Sequence, residues 1–331
     1  MNRDYAKYAL RRVLQAVVVI LLAYMFTFVV ISVLPGDPVT NTLRNPQNGF
    51  TEEEITRIVA YYGLDRPVYV QLWSSLSRFV VGDLGVSLRS GLPVTRQVGE
   101  VLGSTVVLAL SALGVALVLA FGTAFGAQYL PRRVGRLLRA FPSLFLSMPN
   151  FVIGLVLINV FAFQLGLFQV IDSEGGLATF FAAVALGIPV SARVTEVLIA
   201  NLDHEAGEEY ASVARSRGLG RTRLFLRHLL KPSSLPVVTV IALTVGELLG
   251  GAVITEQIFG RTGIGSLVER SVTTQDLPVL QAIVTLAAIV FVVVNLVADL
   301  VYPLLDPRVR LGGTTSAARP EPRDLAEVVA P

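Results

Sequence analysis

Side chains able to carry covalent or metal chemistry are scarce in this sequence. Cysteine is absent, so no disulfide, thiolate metal site or cysteine nucleophile can form. The two histidines, His204 and His228, are too few for a histidine-based metal centre. No Gly-x-x-x-x-Gly-Lys-Ser/Thr phosphate loop is present; the glycine-rich run Gly260 to Ser266 lacks the lysine and reads as a turn. What remains is a set of polar residues set inside long apolar runs. Glu247 stands near the middle of one run and Glu256 near the end of the same run, with Glu196 and Asp299 toward the ends of two others. Asn159, Gln164 and Asn295 add neutral polar groups. Ionisable groups at membrane depth are costly, and by default they mark a pathway. Glu247 facing water would attract a cationic group; the alternative is a protonated or paired structural carboxylate. Arg193 and Glu196 are three apart, the spacing of a pair on one helix.

The elements that must position these residues follow from composition. Of 331 residues, 53% are hydrophobic and 15% charged, and the mean hydropathy is +0.67. A soluble chain of this size cannot hide so much apolar surface. The expected fold is all-α and polytopic, with six membrane spans near 13–34, 105–130, 143–166, 177–199, 236–258 and 279–304, each about the 20 residues a bilayer requires. Pro149 and Pro189 interrupt the third and fourth. The net charge of +3 does not imply a nucleic-acid partner, because arginines collect in the loops expected on the cytoplasmic side. Arg3, Lys7, Arg11 and Arg12 precede span one, and Arg132, Arg133, Arg136 and Arg139 follow span two. Six further bases lie between Arg215 and Lys231, and Arg308 and Arg310 follow span six. The 167–176 loop has Asp172 and Glu174 and no base. Both termini are therefore expected in the cytoplasm, with 35–104 and 259–278 outside.

The chain divides into residues 1–34, a cytoplasmic segment with the first span; 35–104, an outer region; 105–305, the remaining spans; and 306–331, a charged tail read as disordered. In the outer region Thr51 to Glu54 reads as a helix start, Tyr62 to Pro67 as a stop, and Gln71 to Val81 as a second helix.

The polar interruption 200–235 is the most informative stretch. Acids cluster at its start (Asp203, Glu205, Glu208, Glu209), and Arg215 and Arg217 precede Gly218, the order a helix dipole favours. Gly207, Ala211, Ala214 and Gly218 recur at steps of four, three and four, giving a stripe of small residues that suits either packing on the chain's own helices or docking into a partner. A second short helix, Arg223 to Leu230, is expected to stop at Lys231-Pro232, with Leu224, Phe225, His228 and Leu229 on one face.

Segment 209–218, Glu-Tyr-Ala-Ser-Val-Ala-Arg-Ser-Arg-Gly, resembles the Glu-Ala-Ala loop of bacterial ABC importer permeases, with Ser212, Val213, Ala214 and Gly218 at the matching positions; Ser212 stands where that loop has an acid. Pro35 to Pro38, Tyr62 to Pro67, Gly82 to Ser87, Pro93-Val94 and Thr105 resemble the N-terminal region of dipeptide/oligopeptide permeases of the DppB/OppB type. So do Glu256 to Phe259, Gly263 to Gly265 and Asp276 to Val279, with Thr262 where proline is common. The resemblance implies a MetI-like permease fold in the bacterial inner membrane and a non-catalytic subunit. It implies a second homologous permease, two ATPase subunits (or one fused ATPase) that bind ATP and Mg²⁺, an extracytoplasmic solute-binding protein, and surrounding lipid. No cofactor is expected in this chain. The residues expected to couple to the ATPase are Gly207, Glu209, Ala211, Ser212, Val213, Ala214, Arg217 and Gly218; Glu247, Asn159 and Asn295 are expected along the pathway. A self-sufficient secondary transporter is the alternative, but it would show repeated halves or acid–base relays. An integral-membrane enzyme would need a nucleophile or metal constellation at the membrane interface. Neither pattern is visible in the sequence.

Overall fold

A computed structural model describes residues 3–33, 51–63, 66–170 and 175–305; the Pro35 to Pro38 motif, Asp172, Glu174 and the tail from Asp306 lie outside them. The described chain is helical almost throughout. In order it forms α1 (Arg3–Val33), α2 (Glu52–Tyr62), α3 (Val68–Val80), α4 (Val94–Tyr129), α5 (Arg132–Leu146) and α6 (Asn150–Leu157), the last continued by a π-helical stretch Ile158–Gln164. Then follow α7 (Gly176–Gly207), α8 (Glu209–Ser216), α9 (Arg221–Leu224) joined through a π turn Phe225–Leu229 to α10 (Leu230–Ile258), α11 (Ile264–Thr273) and α12 (Leu277–Leu305).

Five of these rods are long and apolar enough to cross a bilayer: α1, α4, α7, the continuous α9–α10 rod and α12. The expected third span is different. α5 and α6 meet at an angle of 107° around Pro149, which caps α6 and whose ring disfavours helical backbone in the residue before it. The loop expected after span two is itself the first half of this bent pair. α5 is amphipathic: Arg132, Arg136 and Arg139 lie along one side, with Val134, Leu137 and Leu144 exposed across from them.

In lipid, helices gain little from hiding apolar surface from water, so close packing of small residues holds them together. α4 and α7 meet along such a seam. Ala112, Ala116, Ala120 and Ala124 recur every four residues on α4 and are buried, as are Ala178, Ala182, Ala185 and Ala192 on α7. A Cβ on Gly187 would lie 2.7 Å from the Ala112 carbonyl oxygen. α1 stays largely exposed along its length and leans on α12. Arg12 pairs with Asp299 at 3.2 Å, and the Tyr5 and Tyr8 hydroxyls donate to the Leu300 and Asp299 carbonyls. Asp299 is thus part of a helix–helix clasp.

The described stretches 51–63 and 66–93 are ordered as their sequence grammar requires. Thr51 and Glu54 form a reciprocal capping box on α2, and Gly63 closes that helix. α3 runs from Val68, three residues ahead of the expected start, because Pro67 at its N-cap costs no helical hydrogen bond. Tyr62 donates to the Val86 carbonyl at 2.6 Å and accepts from its N–H at 2.7 Å, and burial pushes the Tyr62 hydroxyl well above its ordinary range. Tyr24 of α1 stacks on Phe79 of α3, ring centroids 4.4 Å apart. The Ser87 hydroxyl and the Leu88 N–H both donate to Asp276, which anchors this segment to the α11–α12 turn. α4 begins at Val94, well before the apolar run from Thr105, because Val94 and Val98 pack against Leu267, Val279 and Ile283.

Candidate functional site: the coupling segment and the membrane-depth polar groups

The segment between α7 and α10 is built by three local devices. α7 does not stop where the membrane run ends; it continues to Gly207, so Asp203 and Glu205 belong to its last turns. Glu208 turns the chain with extended backbone and starts α8. α8 ends in a Schellman closure: the Gly218 N–H donates to the Arg215 carbonyl at 2.9 Å and the Leu219 N–H to the Ala214 carbonyl at 3.1 Å. Gly218 has φ +79°, a conformation that costs a β-carbon-bearing residue about 1–2 kcal/mol. Gly218→Val should therefore loosen the end of α8, read as faster amide exchange over 215–221, while the membrane rods keep their protection.

The structure divides the small-residue stripe. Gly207 sits at the end of α7 and is exposed, and Gly218 lies past the end of α8. Ala211 is fully buried among Ala124, Leu198, Leu202 and Phe225, and Ala214 packs half-buried against the same cluster. The part of the stripe on α8, Ala211 and Ala214, therefore faces the chain's own bundle. The surface left open on α8 is the opposite one: Glu209, Ser212, Val213, Ser216 and Arg217, with Tyr210 at its edge.

α8 and the helix ends that flank it are tied to the rods around them. Arg139 of α5 holds Asp203 with both guanidinium nitrogens, and Gln128 of α4 donates to the same carboxylate at 2.9 Å. The Tyr129 hydroxyl donates to the Arg221 carbonyl at 3.2 Å. Arg215 donates to the Ala206 carbonyl and Tyr210 to Glu205, each at 2.5 Å. Burial, then the neighbouring Glu205 carboxylate, push the Tyr210 hydroxyl above its ordinary range. A push on α8 thus reaches α7 directly, and α4 and α5 through Asp203 at the end of α7.

The expected stop at Lys231-Pro232 is absent. The chain runs from Arg221 to Ile258 as one rod. Pro232 cannot donate to the carbonyl of His228, and that carbonyl lies in the π turn, where hydrogen bonding already departs from the regular i→i−4 ladder. Leu224, Phe225 and Leu229 are buried as expected; His228 is exposed.

The three expected pathway residues are not brought together. Asn159 accepts from Gln164 at 2.8 Å within the π stretch, and Asn295 donates to the Phe291 carbonyl of its own helix. Glu247 pairs with Arg193, reaching from α10 to α7. The intrahelical Arg193–Glu196 pair is therefore corrected to an interhelical one. Spacing along one helix shows its internal partners, but nothing in a single sequence shows which two helices adjoin.

Glu256 is a structural hub. Its side chain is fully buried and accepts from the Thr105 hydroxyl and the Gly265 N–H, each at 2.6 Å. Thr105 accepts in turn from the Ile264 N–H at 2.8 Å. Beside it, Arg261 donates to Thr179 of α7 at 2.6 Å and to Ser104 of α4 at 3.1 Å. One buried carboxylate and one guanidinium thus tie α4, α7, α10 and the 259–265 turn together, at the ends of the rods opposite α8.

The comparisons agree with this architecture. Residues 5–111 match the N-terminal model, and residues 112–311 the main model, of the binding-protein-dependent transport system inner membrane component. Relatives include the glutathione transport system permease protein GsiC of Escherichia coli strain K12, of Shigella boydii serotype 4 and of Shigella dysenteriae serotype 1. Each is 31% identical over 306 residues, covering 92% of this chain and 98% of the relative. With six apolar spans counting the bent pair, and matches that run in order along nearly its whole length, the chain belongs to the inner-membrane permease family of binding-protein-dependent transport, as a non-catalytic, multi-pass subunit of an ABC importer.

Proposed function

We propose that this subunit forms, with a second homologous permease, the pathway of an importer for short peptides, including glutathione-like tripeptides. The exposed face of α8 is its ATPase-coupling surface. The observation that carries the coupling is the geometry of α8: a short helix bonded to the end of α7 through Tyr210–Glu205 and Arg215–Ala206 and burying Ala211 in the bundle, while Glu209, Ser212, Val213 and Arg217 stand free. Closure of two ATPases around ATP and Mg²⁺ would move α8. Through Asp203, Arg139 and Tyr129 that motion would tilt α4, α5 and α7, biasing the bundle between two arrangements. The peptide class is supported by the ordered motif resemblance and by the named substrate system of the relatives. The orientation that fits is termini and α8 in the cytoplasm, with the 51–93 segment and the Glu256 network facing a solute-binding protein outside.

Co-expression with the neighbouring genes tests this. Purification of this chain in mild detergent is expected to retain a second permease and ATPase subunits. The reconstituted complex should accumulate labelled glutathione or a dipeptide only with ATP and binding protein present. Accumulation by this chain alone, driven by an ion gradient, would establish the secondary transporter instead.

A further inference from the structure

We infer that Arg193 and Glu247 line the translocation pathway as a two-pole site for zwitterionic solutes. The ion pair would open to let Arg193 take a carboxylate and Glu247 an ammonium group. The inference rests on the reading of this chain as a peptide-class permease.

Depth is the first observation. At 1.5 Å per residue, Arg193 lies about 25 Å from Gly176 and about 21 Å from Gly207 along α7, and Glu247 about 16 Å from Ile258 along α10. Against a hydrocarbon core of about 30 Å, Glu247 stands near mid-depth, and Arg193, its partner, lies inside the core toward the α8 side.

Exposure is the second observation. The side chains are 44% and 46% exposed on the isolated chain. Charged groups at mid-depth are rare on lipid-facing surfaces and turn toward protein or a water-filled cavity. On α10, Glu247 belongs to an exposed stripe with Leu243, Gly250 and Ile254 at steps of four, three and four. On α7, Arg193 is exposed with Glu196 and Ala200. These are the two rods that flank α8 in sequence, the ones a moving coupling helix would shift first.

Chemistry is the third. The guanidinium presents a planar fork to a carboxylate, and the carboxylate accepts from an ammonium. Paired, the two present no net charge inside the core. A short peptide brings the complementary pair of charges and can exchange partners with both. A solute bearing one charge would leave the other pole unpaired inside the membrane.

The test uses the whole importer, reconstituted with its second permease, ATPases and binding protein, and glutathione and Ala-Ala as probes. Arg193→Gln and Glu247→Gln are each expected to lower uptake at least tenfold. The double variant Arg193→Met/Glu247→Met separates bracing from binding. A buried bracing pair is commonly replaced by apolar residues without loss, so recovery of uptake to near the parent level overturns the proposal, and continued loss supports it. The absence of native cysteine permits a second readout that is independent of solute and of the fate of the double variant. Gly250→Cys, at a position with nothing within 4 Å of an added Cβ, is expected to react with water-soluble methanethiosulfonates. The cationic reagent should react at least fivefold faster than the anionic one, and this preference should vanish with Glu247→Gln. Reaction only with a lipid-soluble maleimide overturns the pathway assignment. An importer that hydrolyses ATP yet carries neither probe retires the peptide reading, and the labelling then still decides whether the pair faces water.

Discussion

Gly265→Ala should collapse the end of the bundle around the 259–265 turn, although it adds a single methyl group. A Cβ at this position would stand 2.5 Å from the Val253 Cα and 2.8 Å from a Glu256 carboxylate oxygen. The backbone of α10 cannot move aside without disturbing the rod. The Gly265 N–H is also one of the donors that neutralise Glu256 inside the fold. Overpacking of this kind costs about 1–3 kcal/mol, and a weakened bond to a buried carboxylate about 1–3 kcal/mol more. The temperature at which half the monodisperse peak is lost in detergent should fall by several degrees or more. Gly250→Ala is the internal comparison, because its added methyl meets open space. Equal thermal behaviour of the two variants would show that the Glu256 network does not hold α11 in place.

Val213→Asp should detach the ATPases without unfolding the permease. Val213 is 47% exposed on the outer face of α8. A polar substitution at an exposed position changes stability by about 0.5 kcal/mol or less. A desolvated carboxylate at the centre of a docking surface costs about 2 kcal/mol or more, roughly thirtyfold in affinity. Ala211→Asp, two residues away, should do the opposite: it places a charge in the cluster of Leu198, Leu202 and Phe225 and destabilises the chain itself. Co-purified ATPase per permease, measured beside the thermal midpoint, separates the two. Loss of stability with Val213→Asp, or retention of ATPase at the parent level, would place the docking face elsewhere.

The sequence carried the membrane architecture because apolar run length is a property of one segment alone. Five rods fall where hydropathy puts them. Thr51 at a capping box, Gly63 closing α2 and Gly218 closing α8 were legible for the same reason, since each acts within a few residues. Three things were hidden. The break at Pro149 is a 107° bend, because whether a proline merely dents a rod or divides it depends on the neighbours that accept the freed carbonyls. The sequence favoured docking of Ala211 and Ala214 into a partner over packing on the bundle, and only the position of α4 and α9 decides that these two point inward. Glu247 found its partner on another helix, which no spacing along α10 shows. The motif residues Thr105, Glu256, Gly263 and Gly265, scattered along the chain, come together in space at the 259–265 turn, while Asp276 forms a separate anchor with Ser87 and Leu88.

Transport by this account depends on the free face of α8 resting on an ATPase inside the cell. A single cysteine at position 213 of the otherwise cysteine-free chain examines that contact directly. In inverted vesicles of the full complex, a short bifunctional thiol reagent should join it to an ATPase subunit, with a yield that changes when ATP is added. Tagging of the same cysteine by an impermeant reagent applied to intact cells, with no ATPase cross-link, would put α8 on the far side of the membrane and contradict the account.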